Sequence, residues 1–118
     1  MILVDTSVWI QHLNKASERL KSLLHDEQVF CHPFVVGELA CGNLHNRREV
    51  LGLLRALPQA QIAEHEDVLG LLERRRLYGQ GLGWVDAHLL ASAILTGCSL
   101  WTFDKRLKRA ADSFDISA

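Results

Sequence analysis

Four acidic side chains stand out by where they fall in the chain: Asp5, Glu38, Asp86 and Asp104. Asp5 and Asp104 are each the first charged residue after a short apolar run, and each opens a candidate helix. Both therefore belong at one edge of a sheet. The ordinary use of an Asp in such a place is as a helix N-cap, favoured over Ala by roughly 0.5–2 kcal/mol. Asp86 lies one residue into the run Val85, Ala87, Leu89, Leu90, Ala91, Ala93, Ile94, Leu95, where a first-turn acid gains from the helix dipole. Glu38 is harder to place. Val35, Val36, Leu39, Ala40 and Cys41 surround it, so it reads as a carboxylate buried in an apolar helix, and buried carboxylates need partners.

No Lys or Arg lies near Glu38 or Asp86 in the sequence; only His88 is close. Clustering around one cation explains all four acids together. Carboxylates gathered without a cation repel one another, which raises their pKa values and destabilises the fold. A hard divalent ion with a preference for oxygen reverses both effects, so Mg2+ or Mn2+ is the expected occupant. Such an ion lowers the pKa of its water toward neutrality and stabilises charge on a phosphate and its leaving oxygen. That chemistry is phosphodiester hydrolysis, and it needs no nucleophilic side chain.

The elements that must position these acids alternate. Met1 to Val4 is an uninterrupted apolar run, as for a strand covered on both faces. Thr6 to Leu13 and Ser17 to His25 have helical spacing, and Val29 to His32 reads as a second strand. Pro33 opens a helix through Ala40 to Gly42, and Arg47 to Leu57 forms the next, ended by Pro58. Ile62 and Ala63 predict a short strand. His65 to Tyr78 is a helix closed by Gly79, Gly81 and Gly83, and Val85 to Thr96, apolar around most of its circumference, is a buried one. Ser99 to Phe103 is a strand, followed by a helix carrying Lys105, Arg106, Lys108 and Arg109 and a last edge strand near Ile116. The expectation is one domain over 1–118: a three-layer α/β/α sandwich with a central, mainly parallel sheet and its site beyond the carboxyl ends of the strands.

Composition limits the function. Thirteen Lys and Arg against fourteen Asp and Glu give a net charge of −1, so any affinity for nucleic acid must be local. Cys31, Cys41 and Cys98 have no C-x-x-C spacing and apolar neighbours, which fits buried, reduced thiols in a reducing cytoplasm. No basic region precedes a long apolar run, and no apolar stretch reaches the roughly 18 residues of a membrane span, so a soluble, cytoplasmic protein without membrane contact is expected.

Taken together, V-D-T-S-V-W-I at 4 to 10, V-V-G-E-L-A-C-G at 35 to 42, W-V-D-A-H-L-L-A at 84 to 91 and T-F-D at 102 to 104 resemble the PIN-domain nucleases, especially the VapC-type toxins. The resemblance spans nearly the whole chain, with the four acids in family order. It implies an endoribonuclease whose acids bind one or two divalent ions and leave a 5′-phosphate and a 3′-hydroxyl. Asp5 and Asp104 become direct ligands, Asp86 a ligand or bridging acid, and Glu38 a ligand through water or an orienter of the attacking water. Ser7 and Thr102 match hydroxyl positions that orient the carboxylates. The resemblance further implies a homodimer restrained by a cognate antitoxin protein, with RNA as substrate. A PIN-like nuclease of RNA processing outside such a pair, or a PIN-like domain that binds RNA or a partner without cutting, is the alternative.

Other signals carry less. Gly79-x-Gly81-x-Gly83 follows a helix and lacks a P-loop Lys, so it reads as a connection. The histidines lack zinc-ligand spacing, although Cys41 and His45 fall four apart and His88 could approach the site. Clustered basic residues are commonly solvated faces, but Lys105 and Arg106, beside Asp104, are the best placed to meet RNA phosphates. Trp9, Trp84 and Trp101 read as core or interface residues, with base stacking as second choice. A haloacid-dehalogenase-like phosphatase needs D-x-D, where Asp5 is followed by Thr6 and Ser7. A receiver domain needs an acidic pair and a late Lys that do not fit.

Overall fold

In the computed structural model, which describes residues 1–118, the apolar run before Asp5 forms β1 (Ile2–Val4) in the middle of a three-stranded parallel sheet. Strands β2 (Val29–Phe30) and β3 (Ser99–Trp101) flank it, giving the order β2-β1-β3. Successive strand residues point to opposite faces. Leu3 and Val4 are nonetheless both fully buried, as is Leu100, so helices cover both faces of the sheet. This is the three-layer arrangement that the sequence predicts.

Seven helices do the covering: α1 (Thr6–Asn14), α2 (Glu18–His25), α3 (Pro33–Ala40), α4 (Arg47–Ala56), α5 (His65–Arg74), α6 (Trp84–Thr96) and α7 (Lys105–Ser113). Their ends follow local chemistry. Ser17 caps α2 by accepting from the Leu20 N–H, Pro33 occupies the first turn of α3, and Gly97 ends α6 in the left-handed region with φ of 74°. α6 is the central helix: Ala87, His88, Leu89, Leu90, Ala91, Ser92 and Ala93 are all buried. It packs against α5, α7 and β3 and closes the core between them.

Two predicted strands are not formed as such. Ile62 is exposed, and the edge pairing falls instead on Gln59, which bridges Cys31 in parallel fashion. Near the carboxyl terminus only a single bridge forms, Leu100 to Ser117. β2 and β3 are also shorter than their apolar runs. His32 leaves the strand to cap α3, accepting the Phe34 N–H at its Nδ1, and Thr102 leaves to carry a hydroxyl to the sheet edge.

Candidate active site

The parallel register pairs Val4 with Trp101, and the Asp5 N–H donates to the Trp101 carbonyl at 2.9 Å. The chain segments leaving β1 and β3 therefore emerge side by side, which sets Asp5 beside Thr102. Asp5 caps α1 and Asp104 caps α7. Asp86 sits in the first turn of α6 and accepts the Gly83 N–H at 3.2 Å. Three helix N-termini thus each carry one of the acids, and their partial positive charge favours the ionised carboxylates. Glu38 comes from α3 and is held by Thr6, whose hydroxyl donates to Oε1 at 2.7 Å.

Asp86 registers the convergence of the four. Its pKa is raised, first by burial and then by the negative charges of Asp5, Asp104 and Glu38, against the opposing hydrogen bond from Gly83. No basic side chain relieves this crowding: the ion pairs in the molecule are Lys21 with Glu18 and Lys108 with Asp112, both on exposed helix faces.

Each acid engages the protein through one oxygen and leaves the other without a protein donor. For Asp5 the engaged atom is Oδ2, which accepts from the Ser7 hydroxyl and the Thr102 hydroxyl at 2.7 Å each. For Asp104 it is Oδ1, bonded to the N–H groups of Arg106 and Leu107 at 2.9 and 3.0 Å. For Asp86 it is Oδ2, and for Glu38 it is Oε1. Ser7 and Thr102 do more than touch Asp5. Ser7 Oγ accepts the Phe103 N–H and Thr102 Oγ1 accepts the Asp104 N–H, both at 3.0 Å, so the two hydroxyls tie Asp5 to the loop that bears Asp104.

A hard divalent cation fits this donor set by chemistry: four carboxylates, four uncommitted oxygens and no ammonium or guanidinium. The side chains do not form a closed cage, since no three His, Cys, Asp or Glu residues are grouped tightly enough to wrap an ion. Mg2+ keeps several waters and takes one or two carboxylates directly, so it needs no such cage.

Some expectations need correction. Glu38 is exposed: α3 buries the narrow stripe of Val35 and Leu39, and Glu38 flanks that stripe on the solvent side. The most buried acid is Asp5, at 5% exposure. Cys41 is exposed, unlike Cys31 and Cys98, whose thiol pKa values burial pushes up. Trp84 is 40% exposed, whereas Trp9 and Trp101 are buried. His88 is buried in a column of rings, between Trp84 and Phe34 with centroids 4.7 Å from each. Sequence reasoning passed over Thr6, although a hydroxyl directly after Asp5 and close in space to α3 is a natural carboxylate donor.

Lys105 and Arg106 are both exposed at the start of α7, beside Asp104. The Arg106 side chain lies across Gly81, where a Cβ would stand 2.7 Å from Arg106 Cδ. The glycine-rich connection is therefore a seat for that arginine.

The PIN domain model matches residues 2–113 of the chain. Ribonuclease VapC32 from two strains of Mycobacterium tuberculosis, CDC 1551 / Oshkosh and ATCC 25618 / H37Rv, is 56% identical over 111 residues, covering 93% of this chain and 90% of the relative. Among solved structures, the crystal structure of FitAcB from Neisseria gonorrhoeae superposes with a TM-score of 0.65 at 25% identity, over 95% of this chain and 94% of that one.

Proposed function

The chain belongs to the PIN-domain family, in its VapC-type ribonuclease branch, and we propose that it is a toxin that hydrolyses RNA phosphodiesters with a divalent ion held by Asp5, Glu38, Asp86 and Asp104. One observation supports the metal dependence: Asp86 feels the negative charges of Asp5, Asp104 and Glu38 with no basic partner among the four, and each keeps an oxygen free of protein donors. Left without a cation, such a cluster only destabilises the fold.

When bound there, Mg2+ or Mn2+ supplies a water of lowered pKa and charge stabilisation at the phosphate. The residues of the chain do the positioning. Ser7 and Thr102 fix the Asp5 carboxylate so that its Oδ1 faces out of the hydroxyl pair. The α7 N-terminus holds Asp104 through Oδ1 and leaves Oδ2 for the ion. Asp86 would act as a further ligand or a bridging acid. Glu38, exposed and steadied by Thr6 at Oε1, would hold the ion through water or orient the attacking water. Lys105 and Arg106 draw the flanking phosphates, and the products are a 5′-phosphate and a 3′-hydroxyl.

The same reading assigns partners. A groove of about 490 Å3 runs beside Glu38, lined by Ile10, Leu13, Leu39, Leu44 and Val50, and Ile10 and Leu13 are exposed in it. It suits an apolar segment of a cognate antitoxin whose end reaches the acids. Ile94 and Leu95, exposed on α6 beside Leu71 of α5, offer a second apolar surface for another copy of the chain, giving a homodimer. No helix is long and apolar enough to cross a membrane, and the reading places the protein in the cytoplasm.

The test is cleavage of total cellular RNA by the purified protein. EDTA abolishes it, Mn2+ or Mg2+ restores it, and Asp5→Asn lowers it by orders of magnitude. Full activity of Asp5→Asn would remove the site assignment.

A further inference from the structure

Phe103 stands between two residues of the acid site, Thr102 and Asp104, and its side chain is 49% exposed. A solitary exposed apolar residue needs no explanation. This one is distinguished by how it is held. Its backbone N–H donates to Ser7 Oγ at 3.0 Å, and the same hydroxyl grips Asp5, so the ring is anchored at a fixed place relative to the acids. The ring meets Trp101 in a T-shaped contact, with centroids 5.9 Å apart and planes at 80°. Such a contact commits at most one face of a ring. Trp101 in turn carries the Arg19 guanidinium 4.2 Å from its ring centre.

The surroundings indicate what would cover the free face. Arg19, Lys105 and Arg106 are exposed and form no ion pair with any carboxylate. A steadied aromatic ring among unpaired cations, at the place where a phosphate is to be cut, complements a nucleotide: a planar base on the ring and phosphates on the cations. A protein partner would use the ring's apolar area but gives no reason for its position within the loop that holds the acids.

We propose that Phe103 is a specificity-determining residue, stacking the base next to the scissile phosphate and so selecting which unpaired nucleotide is presented to the acids. The inference rests on the ribonuclease reading above. Stacking is sequence-tolerant in itself, because every base has a π-face, so the selection it imposes is for large, well-stacking bases at one position.

The experiment compares wild type with Phe103→Ala, Phe103→Leu and Phe103→Tyr on oligoribonucleotides spanning a cleavage site mapped with the wild-type protein. Loss of a stacking ring weakens binding by about 5- to 150-fold. The Ala and Leu variants are expected to show that loss in KM, with kcat less affected and the base preference beside the cut flattened, while Tyr keeps both. Leu is the decisive variant, being as apolar as Phe but without a π-face. Wild-type KM and preference in Leu overturns the proposal. So does a loss confined to kcat with preference unchanged, which would mark a structural role in the loop. Intact RNA kinetics with altered self-association in sedimentation would assign the ring to a protein contact instead. A wild-type protein that cuts no RNA defeats the ribonuclease reading itself, a result distinct from all of these.

Discussion

The Thr102 hydroxyl donates to Asp5 Oδ2 at 2.7 Å across 97 residues of sequence, and Thr102 Oγ1 accepts the Asp104 N–H at 3.0 Å. One side chain thus sets the distance between the acid that follows β1 and the acid that follows β3. A hydroxyl can do this because it has one proton to give and two lone pairs to receive. Thr102 is buried at 5% exposure, so water does not compete for either bond.

Thr102→Val keeps the shape and removes both bonds. Loss of a group that orients a metal ligand typically costs 10- to 100-fold in metal affinity or activity. We expect a decrease of about that size in kcat/KM and a higher Mn2+ requirement, with Thr102→Ser retaining most of the activity. Titration of activity against Mn2+ for the three proteins distinguishes the outcomes, and equal curves would show that the Thr102 hydroxyl does not position the acids.

Asp86 supports a sharper contrast. Burial and the charges of Asp5, Asp104 and Glu38 all disfavour its ionised form. Asp86→Asn removes that repulsion, while the amide oxygen can still accept the Gly83 N–H. In EDTA the variant should therefore melt a few degrees above wild type, yet lose activity by orders of magnitude. Mn2+ should raise the melting temperature of wild type and do so less for the variant. A simple helix-end role for Asp86 predicts no gain in stability and little loss of activity.

Asp5 and Asp104 were legible in the sequence because a strand end imposes itself: an apolar run stops, a charge follows, and a parallel sheet collects such ends on one side. Glu38 was found for a partly wrong reason. Its neighbours are apolar, but α3 buries Val35 and Leu39 while Glu38 faces out toward Thr6, and composition does not report which face of so short a helix turns inward. The strand at Ile62 failed because Cys31 pairs with Gln59, a polar residue just after Pro58 whose bridge to the sheet is made by backbone alone. The seating of Arg106 on Gly81 joins residues of two separate segments, and nothing in either segment announces the other.

That seating gives a test of the substrate-binding cations. Arg106→Ala should raise KM for RNA and reduce the slope of log affinity against log salt by about one charge's worth. Gly81→Ala should reproduce part of the effect without touching the charge, because the new Cβ would lie 2.7 Å from Arg106 Cδ and position 81 has a φ of +83°. Salt-dependent binding of one RNA to the three proteins is the measurement. An unchanged salt slope in Arg106→Ala would place this arginine off the RNA path.

His32 gives the fold a pH dependence of its own, away from the acids. It is fully buried; Nδ1 accepts the Phe34 N–H and Nε2 lies 3.0 Å from Ser92 Oγ, an arrangement that suits the neutral ring with its proton on Nε2. Burial, and then the nearby charge of His88, push its pKa down to about 4. The unfolded chain binds this proton near pH 6.5, so between about pH 6.5 and 4 the unfolded state takes up more protons than the folded one. Stability from this group is complete above pH 6.5 and is lost as the pH falls toward 4. The full loss is about 3 kcal/mol at 1.36 kcal/mol per pKa unit. His32→Asn keeps a capping side chain at the start of α3 and removes the titration. Urea unfolding from pH 7 to 4.5 should show a decline in wild type that flattens in the variant, even if the variant is less stable at pH 7. Parallel declines would move the acid sensitivity to another group.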